Sequence, residues 1–235
     1  MKRVVGFVMI CLLGVGLLFP SPKVAAVSSG EVTVEAAPNG TVGNRIHERF
    51  ESSWPWYVSR ASGLVAALAL IVLMLSGIGQ ITGRTFRYLD PLTAWASHRA
   101  LGITFTVAVL VHVVLLLFDH FISFNILDIL IPWLSDYKPL TLFGVKLGSL
   151  YVALGVLAMY LVLIVTITSL LWVEKKPHTW KWLHLLSYIA VAFVFVHALF
   201  IGTDLASGPL RWLWLALNGA VLAAVVARLW RAWTI

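Results

Sequence analysis

Long apolar runs separated by shorter polar connections dominate the chain from about residue 57 onward. Each of the five runs is long enough to cross the ~30 Å hydrocarbon core of a bilayer as a helix. They lie at about 57–79, 98–118, 146–172, 182–201 and 210–230. The pattern predicts an all-α integral membrane protein, a bundle of five transmembrane helices. The 119–145 connection is longer and moderately apolar, which predicts a short helix at the membrane interface.

The N-terminal region has a different pattern. Residues 1–26 begin with the basic residues Lys2 and Arg3, continue with an apolar run and reach Val24-Ala25-Ala26, which is typical of a secretory signal peptide. If this leader is retained as a signal anchor, the bundle has six helices. Residues 27–56 are polar and predict a flexible extracytoplasmic segment, and residues 57–235 form the membrane domain.

Composition supports this class and excludes several others. The chain has 235 residues, 60% of them hydrophobic and only 11% charged, and its mean hydropathy is +0.94. Its single cysteine, Cys11, rules out internal disulfides, thiolate zinc sites and cysteine-ligated iron–sulfur clusters. Any redox function would therefore depend on a bound cofactor.

The basic residues predict the orientation in the membrane. The net charge is +7. Lys and Arg cluster in alternate connections and in the C-terminal tail, which is the distribution of topology signals. This distribution argues against nucleic-acid binding. The clusters are Arg84 and Arg87, then Lys175, Lys176 and Lys181, then Arg228 and Arg231. The positive-inside rule places them in the cytoplasm, with the N-terminal segment outside. We expect a multi-pass protein of a bacterial plasma membrane.

Four histidines occur in two pairs on the second and fourth apolar runs. His98 and His112 are 14 residues apart, and His184 and His197 are 13 apart. The predicted topology makes these helices parallel, so that His98 lies level with His184 and His112 with His197. Intramembrane histidines are rare and usually functional, and two neutral imidazoles can hold a haem iron from both sides. The pairs would lie roughly 20 Å apart along the helices, as a ligand set for two haems.

Helix geometry favours the first interval over the second. At ~3.6 residues per turn, 14 residues return to within roughly 40° of the same face, whereas 13 leave the two positions roughly 140° apart. The second helix must therefore tilt, twist or deform, or His184 must lie at an irregular helix start.

Neighbouring residues offer candidate contacts to such a cofactor. Gly102 follows His98 by one turn and would let a porphyrin approach the backbone. Arg60, Arg99 and Lys181 are candidates to pair with haem carboxylates. The alternative for these residues is a small packing glycine and topology charges. His120, beside Asp119, could serve a proton, an acceptor or a metal, or simply end a helix.

Three stretches resemble a known family: HRALGITFTVAVLVH, LHLLSYIAVAFVFVH and, at Tyr57–Ile78, YVSRASGLVAALALIVLMLSGI. They look like helices of the ferric reductase-like transmembrane domain, found in ferric reductases, NADPH oxidases and the haem subunit of periplasmic methionine sulfoxide reductase. The resemblance implies two haem b groups, the inner held by His98 and His184 and the outer by His112 and His197. The chain has no glycine-rich dinucleotide loop, so no flavin or NAD site is expected.

These observations predict a di-haem b-type electron-transfer protein, the membrane haem subunit of an oxidoreductase with no catalytic residue of its own. Electrons would come from a separate flavin reductase or from membrane quinol. They would leave to an extracytoplasmic acceptor, either ferric iron or a periplasmic redox partner. The alternative is a transporter or proton-conducting protein that uses His112 and His197 as a relay.

Overall fold

A computed structural model describes residues 42–119, 121–139, 141–142, 145–146 and 148–234. The predicted leader at 1–26, the first part of the 27–56 segment and His120 lie outside the described residues.

The described chain is almost entirely helical. Its α-helices are α1 Val42–Ile81, α2 Pro91–Leu116, α3 Ile126–Leu130, α4 Leu150–Leu171, α5 Pro177–His184, α6 Leu186–Ile201 and α7 Pro209–Thr234. A small antiparallel ladder joins β1 Thr141–Leu142 to β2 Val145–Lys146, and 3₁₀ turns occupy Thr85–Arg87 and Thr203–Leu205. Five helices are long and apolar enough to cross a membrane, with α5 and α6 counted as one span. The prediction of an all-α, multi-pass membrane protein with five such helices is confirmed.

Two helices begin earlier than predicted. The predicted start of the first span was residue 57, but α1 begins at Val42, so the later part of the 27–56 segment is helical, which corrects the prediction of a flexible stretch. Ile46, Phe50 and Trp54 recur every four residues there, a helical spacing. Helix α2 begins at Pro91 rather than at residue 98, because the Asp90 side chain caps it by accepting from the Thr93 amide.

The fourth span is interrupted beside His184. Helix α5 ends at that histidine, Leu185 lies in a turn with φ −65° and ψ −20°, and α6 begins at Leu186. The turn lies within the 13-residue interval, at the place where an irregularity beside His184 was predicted. The backbone of Leu185 stays in the right-handed helical region, so the two helices continue as one span.

The helices pack in two close pairs. Helix α1 lies along α2, and α4 lies along α6, while α2 and α6 make few direct contacts with each other. Apolar residues of α1 contribute much of the buried core, among them Leu70, Ile71 and Met74. The space between the two pairs forms a slot lined by the histidine-bearing faces of α2 and α6.

The predicted short helix in the 119–145 connection is present as α3. Asn125 and Asp128 form a reciprocal capping box at its start. The Tyr160 hydroxyl, on α4, donates to the Leu130 carbonyl at 2.5 Å. These bonds tie the connection to α4, and Ile122, Phe124 and Ile129 line the adjacent end of the slot.

Candidate functional site

The slot contains two cavities, one above the other. Cavity 1, lined by His98 and His184, has a volume of about 270 Å³. Cavity 2, lined by His112 and His197, has a volume of about 230 Å³. The structure thus brings together the residues of each pair predicted from the sequence, and α2 and α6 run parallel.

The ring spacing in cavity 1 suits a metal ion between the two histidines. The ring centroids of His98 and His184 are 6.3 Å apart, with an angle of 56° between the ring planes. A metal ion bound by two imidazole nitrogens at ~2.0–2.1 Å each would separate the centroids by roughly 6 Å. The observed distance therefore suits a single metal ion held between the two rings.

Backbone carbonyls orient both histidines of cavity 2. The Nδ1 atom of His112 lies 2.8 Å from the Ser59 carbonyl oxygen, and that of His197 lies 2.8 Å from the Tyr151 carbonyl oxygen. A carbonyl only accepts, so each Nδ1 carries the proton and donates it. Each Nε2 is then an unprotonated ligand atom, the form that metal coordination needs.

Serine hydroxyls take the same place in cavity 1. His98 Nδ1 lies 2.8 Å from the Ser76 hydroxyl, which already donates to the Leu73 carbonyl. The remaining role of that oxygen is to accept, so His98 Nδ1 also donates and its Nε2 is unprotonated. His184 Nδ1 lies 3.2 Å from the Ser169 hydroxyl, which also accepts from the Trp180 indole.

Glycines provide space behind three of the rings. A Cβ at Gly63 of α1 would lie 3.0 Å from His112 Nδ1, and one at Gly155 of α4 would lie 2.5 Å from Nδ1 and Cε1 of His197. A Cβ at Gly77 would lie 3.4 Å from His98 Cε1. The neighbouring helix therefore holds each ring from behind, which directs its other nitrogen toward the slot.

The backbone supports of the two histidines in cavity 2 share one local arrangement. Gly63 follows Ser59 by four residues, and Gly155 follows Tyr151 by four, so each glycine lies one turn beyond the accepting carbonyl on the same helix face. The missing side chain exposes that carbonyl to the ring. Sequence reasoning missed all of these supporting residues. The glycines were visible in it, but their function depends on which helices pair.

Charged groups differ between the cavities. Cavity 1 is lined by Arg99 and Arg228, and its described lining residues include no Asp or Glu. Cavity 2 is lined by Arg60, Asp119 and Asp204. Arg60 and Asp204 form a two-pronged ion pair, with Nε donating to Oδ2 at 2.9 Å and Nη2 donating to Oδ1.

Three of the other predicted contact residues, Gly102, Arg99 and Arg60, also line the cavities, whereas Lys181 lines neither. Gly102 lies on the wall of cavity 1, where a Cβ would find Leu73 Cδ2 at 3.9 Å as its nearest neighbour. Arg99 lies beside it, with its guanidinium carbon 5.4 Å from the Trp95 ring centroid. Arg60 lies at cavity 2, with its guanidinium carbon 4.0 Å from the Trp56 ring centroid.

Tyr137 lies at the rim of cavity 2, outside the membrane spans. Burial raises the pKa of the Tyr137 phenol, and the nearby Asp119 carboxylate raises it further. The phenol is therefore neutral at physiological pH. It can act as a hydrogen-bond donor at this end of the slot.

Each cavity is lined by two histidines. Among the described residues no group of three or more His, Cys, Asp or Glu side chains could hold a metal ion. Two imidazoles suit a metal whose other ligands come from a non-protein group. Five apolar spans around two stacked histidine pairs define a multi-pass membrane protein with two bis-histidine cavities.

Comparison with protein families agrees with this class. The model of the ferric reductase like transmembrane component matches residues 62–196, more than half of the chain, and the protein belongs to that family. The predicted membership of the ferric reductase-like family is therefore confirmed. No curated protein matches the chain, and no solved structure does.

Proposed function

We propose that this protein is a di-haem b-type electron-transfer subunit of a bacterial plasma membrane. Membership of the ferric reductase-like transmembrane family indicates electron transfer across a membrane. The proposal adds the cofactor: haem b held in cavity 1 by His98 and His184, and haem b held in cavity 2 by His112 and His197.

The observation that carries this proposal is the hydrogen bonding of the rings. Three of the four histidines donate through Nδ1, and this leaves Nε2 as a metal ligand facing a cavity. Gly102 leaves one wall of cavity 1 free of side chain, where a flat macrocycle can approach the backbone. Haem supplies one-electron redox chemistry at its iron. Two histidines per iron leave no open position, so the sites suit electron transfer rather than oxygen binding.

The charge pattern supports an outward direction. The basic connections support a topology with cavity 1 toward the cytoplasm and cavity 2 toward the outside. The donor is then a cytoplasmic flavoprotein or membrane quinol, and the acceptor is ferric iron or an extracytoplasmic redox partner. An inside-negative potential assists outward transfer of one electron by ~2.3 kcal/mol per 100 mV. The ion pair with Asp204 already satisfies Arg60, and we assign that residue to the structure of the cavity 2 rim.

Absorption spectroscopy of the purified full-length protein tests the proposal. We expect a Soret band, a reducible α band and two haems per chain by pyridine haemochrome assay. His98→Ala or His184→Ala should remove the haem of cavity 1, and His112→Ala or His197→Ala that of cavity 2. His178→Ala is the matched control, because this histidine is exposed in the first turn of α5 and lines neither cavity. It should keep two haems.

A colourless protein would refute the proposal. Proton or solute flux in vesicles that is lost in His112→Ala would then favour the transporter alternative. Unchanged haem content in both His112→Ala and His197→Ala would also contradict the assignment, even if the wild-type protein is coloured.

A further inference from the structure

Arg228 occupies an unusual position for a cationic side chain. It belongs to α7, inside the span Pro209–Arg231, and it lines cavity 1 together with the histidine pair. The family model ends at residue 196, so family membership assigns this arginine nothing.

The partner of Arg228 inside the protein is neutral. Its Nη1 donates to the Tyr188 hydroxyl, and its guanidinium carbon lies 5.7 Å from the Tyr188 ring centroid. Tyr188 follows His184 by four residues, but the break at Leu185 separates them into different helices. The tyrosine thus positions the guanidinium from the same span that supplies the histidine.

The Arg228 guanidinium favours an anionic ligand. It has five N–H donors, several of which remain after one bond to a phenol. The side chain is half-buried near the end of its span and lines a mostly apolar cavity, where a counter-charge stabilises it. The described residues that line cavity 1 include Arg99 as a second cation and no acid.

Cavity 2 provides the contrast within the same molecule. There, Arg60 has its carboxylate partner in Asp204. Cavity 1 has two guanidinium groups and its counter-charge is not among the described lining residues. Its charge therefore complements a ligand with carboxylate groups of its own.

We infer that Arg228, positioned by Tyr188 and assisted by Arg99, binds a carboxylate group of the haem in cavity 1. Guanidinium and carboxylate match in shape and form paired charge-assisted hydrogen bonds. The inference rests on the proposed function. It extends that function by assigning the last transmembrane helix to the inner cofactor site.

A comparison of haem b with its dimethyl ester tests this. The ester keeps the macrocycle and iron but has no carboxylate charge. Full-length protein made in a haem-deficient host, carrying His112→Ala to leave only the cavity 1 pair, is titrated with each compound and followed at the Soret band. Arg228→Gln is compared with this parent, and Arg87→Gln, an exposed arginine outside the cavity, is the matched control.

We expect Arg228→Gln to weaken haem b binding by about tenfold to a hundredfold, the loss expected for a hydrogen bond between charged groups. The same variant should bind the dimethyl ester within about twofold of the parent, and Arg87→Gln should leave both affinities unchanged. An Arg228→Gln protein that binds haem b as tightly as the parent overturns the inference. So does an equal loss for both compounds.

Tyr188→Phe covers the case in which Arg228→Gln does not fold. It should weaken haem b binding several-fold and spare the ester. An effect on both compounds, or on neither, overturns the inference. If the His112→Ala parent and the protein with all four histidines both fail to bind either compound, the proposed function is refuted instead. That outcome is distinguishable because it precedes any comparison of variants.

Discussion

A methyl group added at Gly155 should dislodge His197 from its ligand position. The new Cβ would lie 2.5 Å from Nδ1 and Cε1 of the ring, which is well inside van der Waals contact. Helices α4 and α6 pack closely along each other, so the ring must turn or the helices must separate. Either movement breaks the 2.8 Å bond from His197 Nδ1 to the Tyr151 carbonyl.

The magnitude follows from three opposing contributions. Overpacking a filled site costs about 1–3 kcal/mol, and the lost hydrogen bond about 0.5–1.5 kcal/mol. Alanine in a helix interior recovers about 0.5–1 kcal/mol relative to glycine. The net penalty on the bound geometry is about 0.5–4 kcal/mol. The middle of this range, about 2 kcal/mol, is roughly a thirtyfold loss of haem affinity, since each 1.4 kcal/mol is a factor of ten. Gly155→Ala should therefore lose most of the haem in cavity 2.

A graded series makes the prediction specific. Gly63→Ala, with its Cβ 3.0 Å from His112 Nδ1, should be milder, and Gly77→Ala, at 3.4 Å from His98 Cε1, should be close to neutral. Gly219→Ala is the control, because no atom lies within 4 Å of its Cβ position. Haem per chain and the Soret spectrum of each variant provide the measurement. If Gly155→Ala keeps its full haem content, or Gly77→Ala loses more than Gly155→Ala, the reasoning fails.

Three further predictions concern other supports of the two cavities. Ser76→Ala removes the acceptor for His98 Nδ1 and should weaken haem binding in cavity 1 about tenfold, measured by titration; unchanged affinity would show that the bond has no such effect. Arg60→Gln and Asp204→Asn should show a coupling of about 1 kcal/mol in a double-mutant cycle of thermal unfolding, and additive effects would disprove the pair. The cap bond lowers the pKa of Asp90, so its stabilisation of α2 is present at neutral pH and is lost as the pH falls through that lowered value; an Asp90→Asn protein with the same acid-unfolding profile as wild type would contradict this.

Hydropathy and histidine spacing were enough to predict the helical framework. The length of an apolar span depends on the thickness of the bilayer, and the spacing of residues on one face depends on the helix repeat. The five spans follow from segment length, and the pairing of His98 with His184 follows from the alternation of basic connections. The 13-residue interval also predicted a local irregularity, and the structure has a turn at Leu185, between α5 and α6. The start of α2 at Pro91 could have been predicted from the sequence, because an acidic residue before a proline is a common helix start.

The supports behind the histidines were not predictable in the same way. The carbonyls of Ser59 and Tyr151 accept from the rings, but a backbone acceptor has no sequence signature. The function of Gly63 and Gly155 can be recognised only once it is known that α1 packs on α2 and that α4 packs on α6. Helix pairing in a membrane depends on close packing of small residues, which a single sequence displays at many positions.

The slot between the two helix pairs has a consequence for how the protein is assembled. Each pair has its own close packing, whereas α2 and α6 make few direct contacts. A ligand that bridges them is then part of the interface between the halves. Ligand binding adds stability in proportion to the logarithm of its free concentration. The folding yield of this protein in a cell should accordingly follow the supply of its cofactor, and the empty chain should be the form that quality-control proteases remove first.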